Sequence, residues 1–96
     1  MWRVVSVREL ELPLGGKRPY RIRIVGERQR SATWLGHIEL LPHGAHKWLS
    51  AARETSQPNI ECLEYWATGL EPLYFEGALD RARRQRRRRR RSRPHH

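Results

Sequence analysis

An α+β domain is the fold class that three features of this 96-residue chain predict. Strand-type alternation runs through its first half. The apolar spacing then changes to a helical period near residue 57. The net charge of +10 gathers at the C-terminus, where Arg81–His96 holds ten arginines and no acid. These features predict a three- to four-stranded antiparallel meander, one or two C-terminal helices and a disordered Arg-rich tail. The expected organisation is one small domain, residues 1–80, and a basic tail, residues 81–96.

Residues 2–12, WRVVSVRELEL, are rich in β-branched side chains and form the first predicted strand. Val5 and Val7 share one parity, whereas Leu10 and Leu12 share the other. A bulge near Arg8–Glu9 restores the facing, because one inserted residue flips the side on which later residues point. PLGGKRP, residues 13–19, is a turn. It is not a phosphate loop, since Arg18 stands where that motif needs a hydroxyl residue after the lysine.

YRIRIVGER (20–28) alternates cleanly, with Tyr20, Ile22 and Ile24 on one side and Arg21 and Arg23 on the other. TWLGHIELL (33–41) is the third predicted strand, with Trp34, Gly36, Ile38 and Leu40 sharing a face. PHGA turns the chain. HKWLSAAR (46–53) is read as the fourth strand, with Trp48 and Ala52 on one side.

The next segment contains a helix at about 57–69. Ser56 or Asn59 can cap it, Pro58 belongs to its first turn, and Ile60, Leu63, Ala67 and Leu70 make one apolar stripe. Gly69 is the expected stop, with Leu70 folding back in a Schellman-type contact. Residues 72–80 admit two readings. Pro72 opens a second helix with Phe75, Leu79 and Ala82 on one face, or LYF is a short strand and the helix begins at Gly77.

The charge is not spread evenly. Residues 1–80 carry ten basic and ten acidic side chains, so the body is neutral and the tail holds the whole excess. An arginine run buries nothing apolar and repels itself, so residues beyond about 84 are expected to be disordered alone. Each guanidinium offers a planar fork of donors that matches phosphate. A partner is therefore expected among polyanions, RNA or DNA first, bound without regard to sequence. The phosphate contacts are assigned to Arg81, Arg83, Arg84, Arg86, Arg87, Arg88, Arg89, Arg90 and Arg91. If ~6–8 of them met duplex phosphates, log K would fall with log salt at a slope of about −5 to −7. The run contains no aromatic residue, so it cannot stack bases by itself. Arg21 and Arg23 are the contributors expected from the body. Glu9, Glu11, Glu27 and Glu39 share or border their face, however, and cross-strand charge pairing is the simpler role for them.

LEYWATGLEPLYFEG holds the densest aromatic cluster. Its first role is the core. Its alternative role is a protein-interaction or dimerisation surface through Tyr65, Trp66 and Tyr74, with the tail only solubilising. One helix cannot bury Tyr65, Trp66 and the Ile60 stripe on a single side, so one of the two aromatics is expected to be exposed.

Catalysis and metal binding find little support. His43 and His46 with His37 or Cys62 do not make a convincing four-ligand set, so no metal or cofactor is expected. Cys62 is flanked by Glu61 and Glu64 and has no histidine placed as its base. A single cysteine allows no internal disulfide. No apolar stretch approaches ~20 residues and the start lacks an apolar leader core. The expectation is a non-enzymatic cytoplasmic protein without a membrane span or small-molecule ligand.

Overall fold

The structure, a computed structural model, describes residues 3–92, the last two by their backbone alone. Strands β1 (Arg3–Leu14), β2 (Arg18–Arg28), β3 (Trp34–Pro42) and β4 (Leu49–Gln57) form one antiparallel sheet in the order β1-β2-β3-β4. Helices α1 (Ile60–Thr68) and α2 (Pro72–Ser92) follow and pack on the sheet. This is the expected α+β arrangement, with four strands rather than three.

The core lies between the sheet and the two helices. Tyr20, Ile22 and Ile24 of β2 and Ile38 and Leu40 of β3 are buried, as their alternation predicts. Ala67 meets them from α1, and Phe75, Ala78, Leu79 and Ala82 from α2.

In β1 the register steps from Ser6↔Val25 to Arg8↔Ile24, so the bulge falls at Val7, slightly before the expected place. It turns Arg8 toward the helices. Arg8 donates from Nη1 to the carbonyls of Ala67 (2.8 Å) and Leu70 (3.4 Å). α1 has no basic residue in its own last turn. Arg8 therefore supplies from another element the cation and donor that the exposed carbonyls of a helix end require.

Gly26 and Gly36 stand opposite each other in the β2–β3 ladder. A Cβ on Gly26 would lie 2.5 Å from Leu63 Cδ2, and one on Gly36 would lie 2.9 Å from Leu63 Cδ1. The paired glycines form the slot into which α1 drops Leu63.

Four expectations need correction. β4 begins at Leu49 and continues to Gln57, later than the expected 46–53. Leu49 and Ala51 are its buried residues, and Ala52 and Trp48 are not. The reason is tertiary: β3 pairs Leu40↔Leu49 and Ile38↔Ala51, which fixes the phase that a short, weakly alternating segment leaves open. The register then slips between Gly36 and Ile38, and Arg53 takes a left-handed φ of 57° at that irregularity.

α1 is shorter than the expected 57–69. Asn59 caps it by accepting from the Cys62 amide at 2.8 Å, so Pro58 precedes the helix. Gly69 has φ −84° and ψ −5°, which is right-handed, so the Schellman stop is absent; Arg8 does part of its work. The short-strand reading of LYF also falls, because Pro72 opens one continuous helix.

α2 crosses the position at 80/81 where the charge pattern divides body from tail. It is helical to Ser92. Residues 93–96 lie outside the described residues. Three anchors hold the crossing. Ala82 is buried in the core. Arg83 Nη2 donates to Tyr20 Oη at 3.2 Å. Gln85 Oε1 accepts the Ala52 amide of edge strand β4 at 3.2 Å. Arginine has good helix propensity, and cations favour a helix C-terminus, which offsets part of the repulsion along the run.

Candidate functional site

The apolar stripe of α2 runs Phe75, Ala78, Leu79, Ala82 at helical spacing. Continued by three and four residues it reaches Gln85, Arg86 and Arg89, with Arg90 at its border. The chain stays on the sheet-facing side of the helix while its chemistry changes from apolar to basic. These arginines consequently do not point away from the domain. They face the start of β4 across a cleft of about 370 Å³.

Arg86, Arg89 and Arg90 line the helix wall of this cleft. Lys47 and Trp48, just before β4, line the opposite wall with Ser50. Among the described residues no carboxylate takes part in the lining. Gln85 sits in the cleft as well and fixes the strand edge through the Ala52 amide. Four cations from two elements thus share one concavity. Because guanidinium and ammonium groups remain charged at neutral pH, their mutual repulsion is relieved by an anion.

The expected basic residues separate into distinct groups. Arg81 is paired within the fold: its Nε donates to Glu54 Oε2 at 2.9 Å and its Nη2 to Glu54 Oε1 at 2.5 Å. Tyr74 Oη donates to the same carboxylate at 2.8 Å, and the Arg81 guanidinium lies 5.2 Å from the Tyr74 ring centre. Burial, and then the Glu54 carboxylate, push the Tyr74 hydroxyl up to about 12. The Glu54 hydrogen bond raises the already high pKa of Arg81, which stays charged. This clamp ties α2 to β4. Arg83 is likewise tied to Tyr20. Arg84, Arg87 and Arg88 are exposed on other faces of α2, and Arg91 extends the helix beyond the cleft.

Arg21 and Arg23 lie on the sheet face away from the helices, and that face is balanced in charge. Arg23 Nε donates to Glu39 Oε1 at 2.6 Å. In the ladder Glu9 stands opposite Arg23 and Glu11 opposite Arg21. The Arg23 guanidinium lies 4.2 Å from the Trp48 ring centre and that of Arg21 5.8 Å. Both guanidinium groups thus lie against the Trp48 ring.

Trp48 is the residue that sequence reasoning missed. Expected within the fourth strand on one side with Ala52, it instead precedes β4 and brings an aromatic side chain to the arginine cleft. The run itself has none. The available signal was the Lys47-Trp48 pair beside a turn, but only the fold places that pair beside residues 86–90.

The aromatic cluster is divided. Tyr65 is 83% exposed. Trp66 is half-buried and meets Tyr74 edge-on at 5.9 Å between ring centres. Tyr65, Trp66, Cys62 and Leu70 line a shallow apolar groove of about 560 Å³. Tyr74 faces inward to the clamp and is not part of that surface.

His37 Nε2 lies 3.0 Å from Glu27 Oε1 of β2, and its Nδ1 accepts the Arg53 amide at 3.1 Å at the β3–β4 irregularity. Among the described residues no three His, Cys, Asp or Glu side chains are grouped to hold a metal ion. Among the same residues no helix is long and apolar enough to cross a membrane.

Fold and site together define a small α+β domain with a built basic cleft at the root of an arginine helix. Compared with known proteins, the chain matches no family model, no curated protein and no solved structure.

Proposed function

We propose that this is a non-enzymatic nucleic-acid-binding protein that grips the phosphate backbone electrostatically and without regard to sequence. The observation that carries the reading is the convergence of Lys47, Arg86, Arg89 and Arg90 in one cleft that, among the described residues, no carboxylate lines. Phosphate oxygens are the natural occupants, since planar guanidinium forks bind them bidentately. Arg84 and Arg87 extend the positive surface around the helix. Arg81 and Arg83 hold the helix in place.

The test is polyanion binding across a salt series by the intact chain and by a variant with Arg86→Gln, Arg89→Gln and Arg90→Gln. Each lost phosphate contact flattens the log K against log salt slope by about 0.7 for a single strand and 0.9 for a duplex. The triple variant is expected to flatten it by about 2 to 3. An unchanged slope refutes the reading.

The exposure of Tyr65 supports a second reading, a protein-interaction or dimerisation surface on α1. Leu73 is also 82% exposed, at the start of α2. Under this reading, sedimentation finds an assembly that Tyr65→Ser dissociates and the arginine variant leaves intact.

A further inference from the structure

We infer that the cleft between β4 and α2 takes a single strand of RNA or DNA, with one unpaired base set against Trp48. This inference rests on the phosphate-binding reading above and adds to it the form of the occupant.

The shape of the site asks for more than phosphate. An arm that only neutralised a duplex could carry its cations on a convex helix, as Arg84 and Arg87 do. Here Lys47 and the Trp48 indole stand on one wall and Arg86, Arg89 and Arg90 on the other. The cleft volume of about 370 Å³ falls at the lower end of the range for small-ligand sites, ~300–1,000 Å³, which suits one nucleotide. A duplex is stiff over about 150 base pairs and keeps its base faces stacked inside. Only an unpaired nucleotide can offer its face to a side chain while its phosphates remain between the cationic walls.

Trp48 is prepared for that contact. The Arg23 guanidinium 4.2 Å from its ring centre steadies the indole, and Glu39 holds Arg23 in turn at 2.6 Å. Stacking on an aromatic is tolerant of base identity, because every base has a π-face. That tolerance agrees with the lack of sequence readout expected of the arginines. On the outer sheet face Trp48 also borders Arg21, but Glu9 and Glu11 line that hollow and repel phosphate.

The experiment measures binding of the full chain to labelled strands of equal length by fluorescence anisotropy. The probes are single-stranded DNA, single-stranded RNA, a strand of abasic sugar-phosphates and a blunt DNA duplex. Both base-bearing strands are expected to bind about 5- to 100-fold tighter than the abasic strand. Trp48→Ala closes that gap and leaves the salt slope as it was, while Trp48→Phe keeps most of the gap. Equal affinity for base-bearing and abasic strands overturns the inference, as does a Trp48→Ala loss of the same size on every probe. Displacement of the strand by an acidic peptide at equal charge and concentration also overturns it.

The two readings fail differently. If no probe binds, the phosphate reading fails and this one falls with it. If all probes bind with a steep salt slope and no regard for bases, only the single-strand inference is lost. Should Trp48→Ala lose its thermal transition, the abasic comparison on the unaltered chain and the Trp48→Phe variant decide the matter.

Discussion

Replacing Glu54 by alanine tests whether the clamp under the arginine helix holds the domain together. The Glu54 side chain is 6% exposed, whereas that of Arg81 is 36% exposed. The carboxylate accepts from Arg81 Nε, from Arg81 Nη2 and from Tyr74 Oη. Removing one partner of a fully buried pair costs about 3–5 kcal/mol, and an exposed pair contributes about 0–1 kcal/mol. This pair lies between, because water can rehydrate the released guanidinium but reaches the Tyr74 hydroxyl less easily. The expected loss is about 2–3 kcal/mol. At about 4–8 °C per kcal/mol for a domain of this size, Tm falls by about 10–20 °C. Glu54→Gln keeps an acceptor without the charge and is expected to lose about half as much. Pairing Glu54→Leu with Arg81→Met recovers part of the loss, since no uncompensated charge then remains. Thermal unfolding by circular dichroism reads all three. A Glu54→Ala protein melting within about 3 °C of the unaltered chain refutes the reasoning.

The clamp also sets a pH dependence: Tyr74 is raised from 10 to about 12, so its contribution to stability is complete below pH 10 and is lost as pH rises to 12. Phenolate absorbance of the intact chain should show a component near 12 that Tyr74→Phe abolishes. Gly36→Ala drives a Cβ to 2.7 Å from Thr55 Cγ2 and 2.9 Å from Leu63 Cδ1, so urea unfolding should report a loss of about 1–3 kcal/mol. Ala32 holds a left-handed φ of 68° in the β2–β3 turn, and Ala32→Gly is expected to stabilise by about 0.5–1 kcal/mol in the same assay. A chain ending after Asp80 loses Ala82 from the core, the clamp and the Gln85 bond, and should be destabilised by about 3 kcal/mol or more. One ending after Gln85 should melt within about 1 kcal/mol of the full chain and lose most of its polyanion affinity.

Much of the architecture was legible because its signals are local. The alternation of Tyr20, Ile22 and Ile24 gave the inward face of β2. The parity break between Val7 and Leu10 announced a bulge. Pro72 was one of two starts open for α2, and the structure places the helix start there. Failures came where two elements had to agree. β4 has weak alternation, and its phase follows from pairing with Leu40 and Ile38. The end of α1 is served by Arg8, 59 residues before the Ala67 carbonyl it binds, and no local pattern carries that information. Arg81 and Arg83 look like the rest of the run in sequence, yet a buried carboxylate and a buried tyrosine hydroxyl withdraw them from it.

The sequence by itself determined the fold class, the order of strands before helices, and the segregation of a +10 charge into one segment. Side-chain periodicity and charge are properties of consecutive residues and need no partner to be read. Only the tertiary structure decided which arginines are structural, which face a cleft, and that Lys47 and Trp48 form the other wall. Those relations depend on α2 crossing the sheet with Ala82 buried and Gln85 bound to the β4 edge. That crossing brings residue 48 and residues 86–90 to one place, although some forty residues of chain separate them.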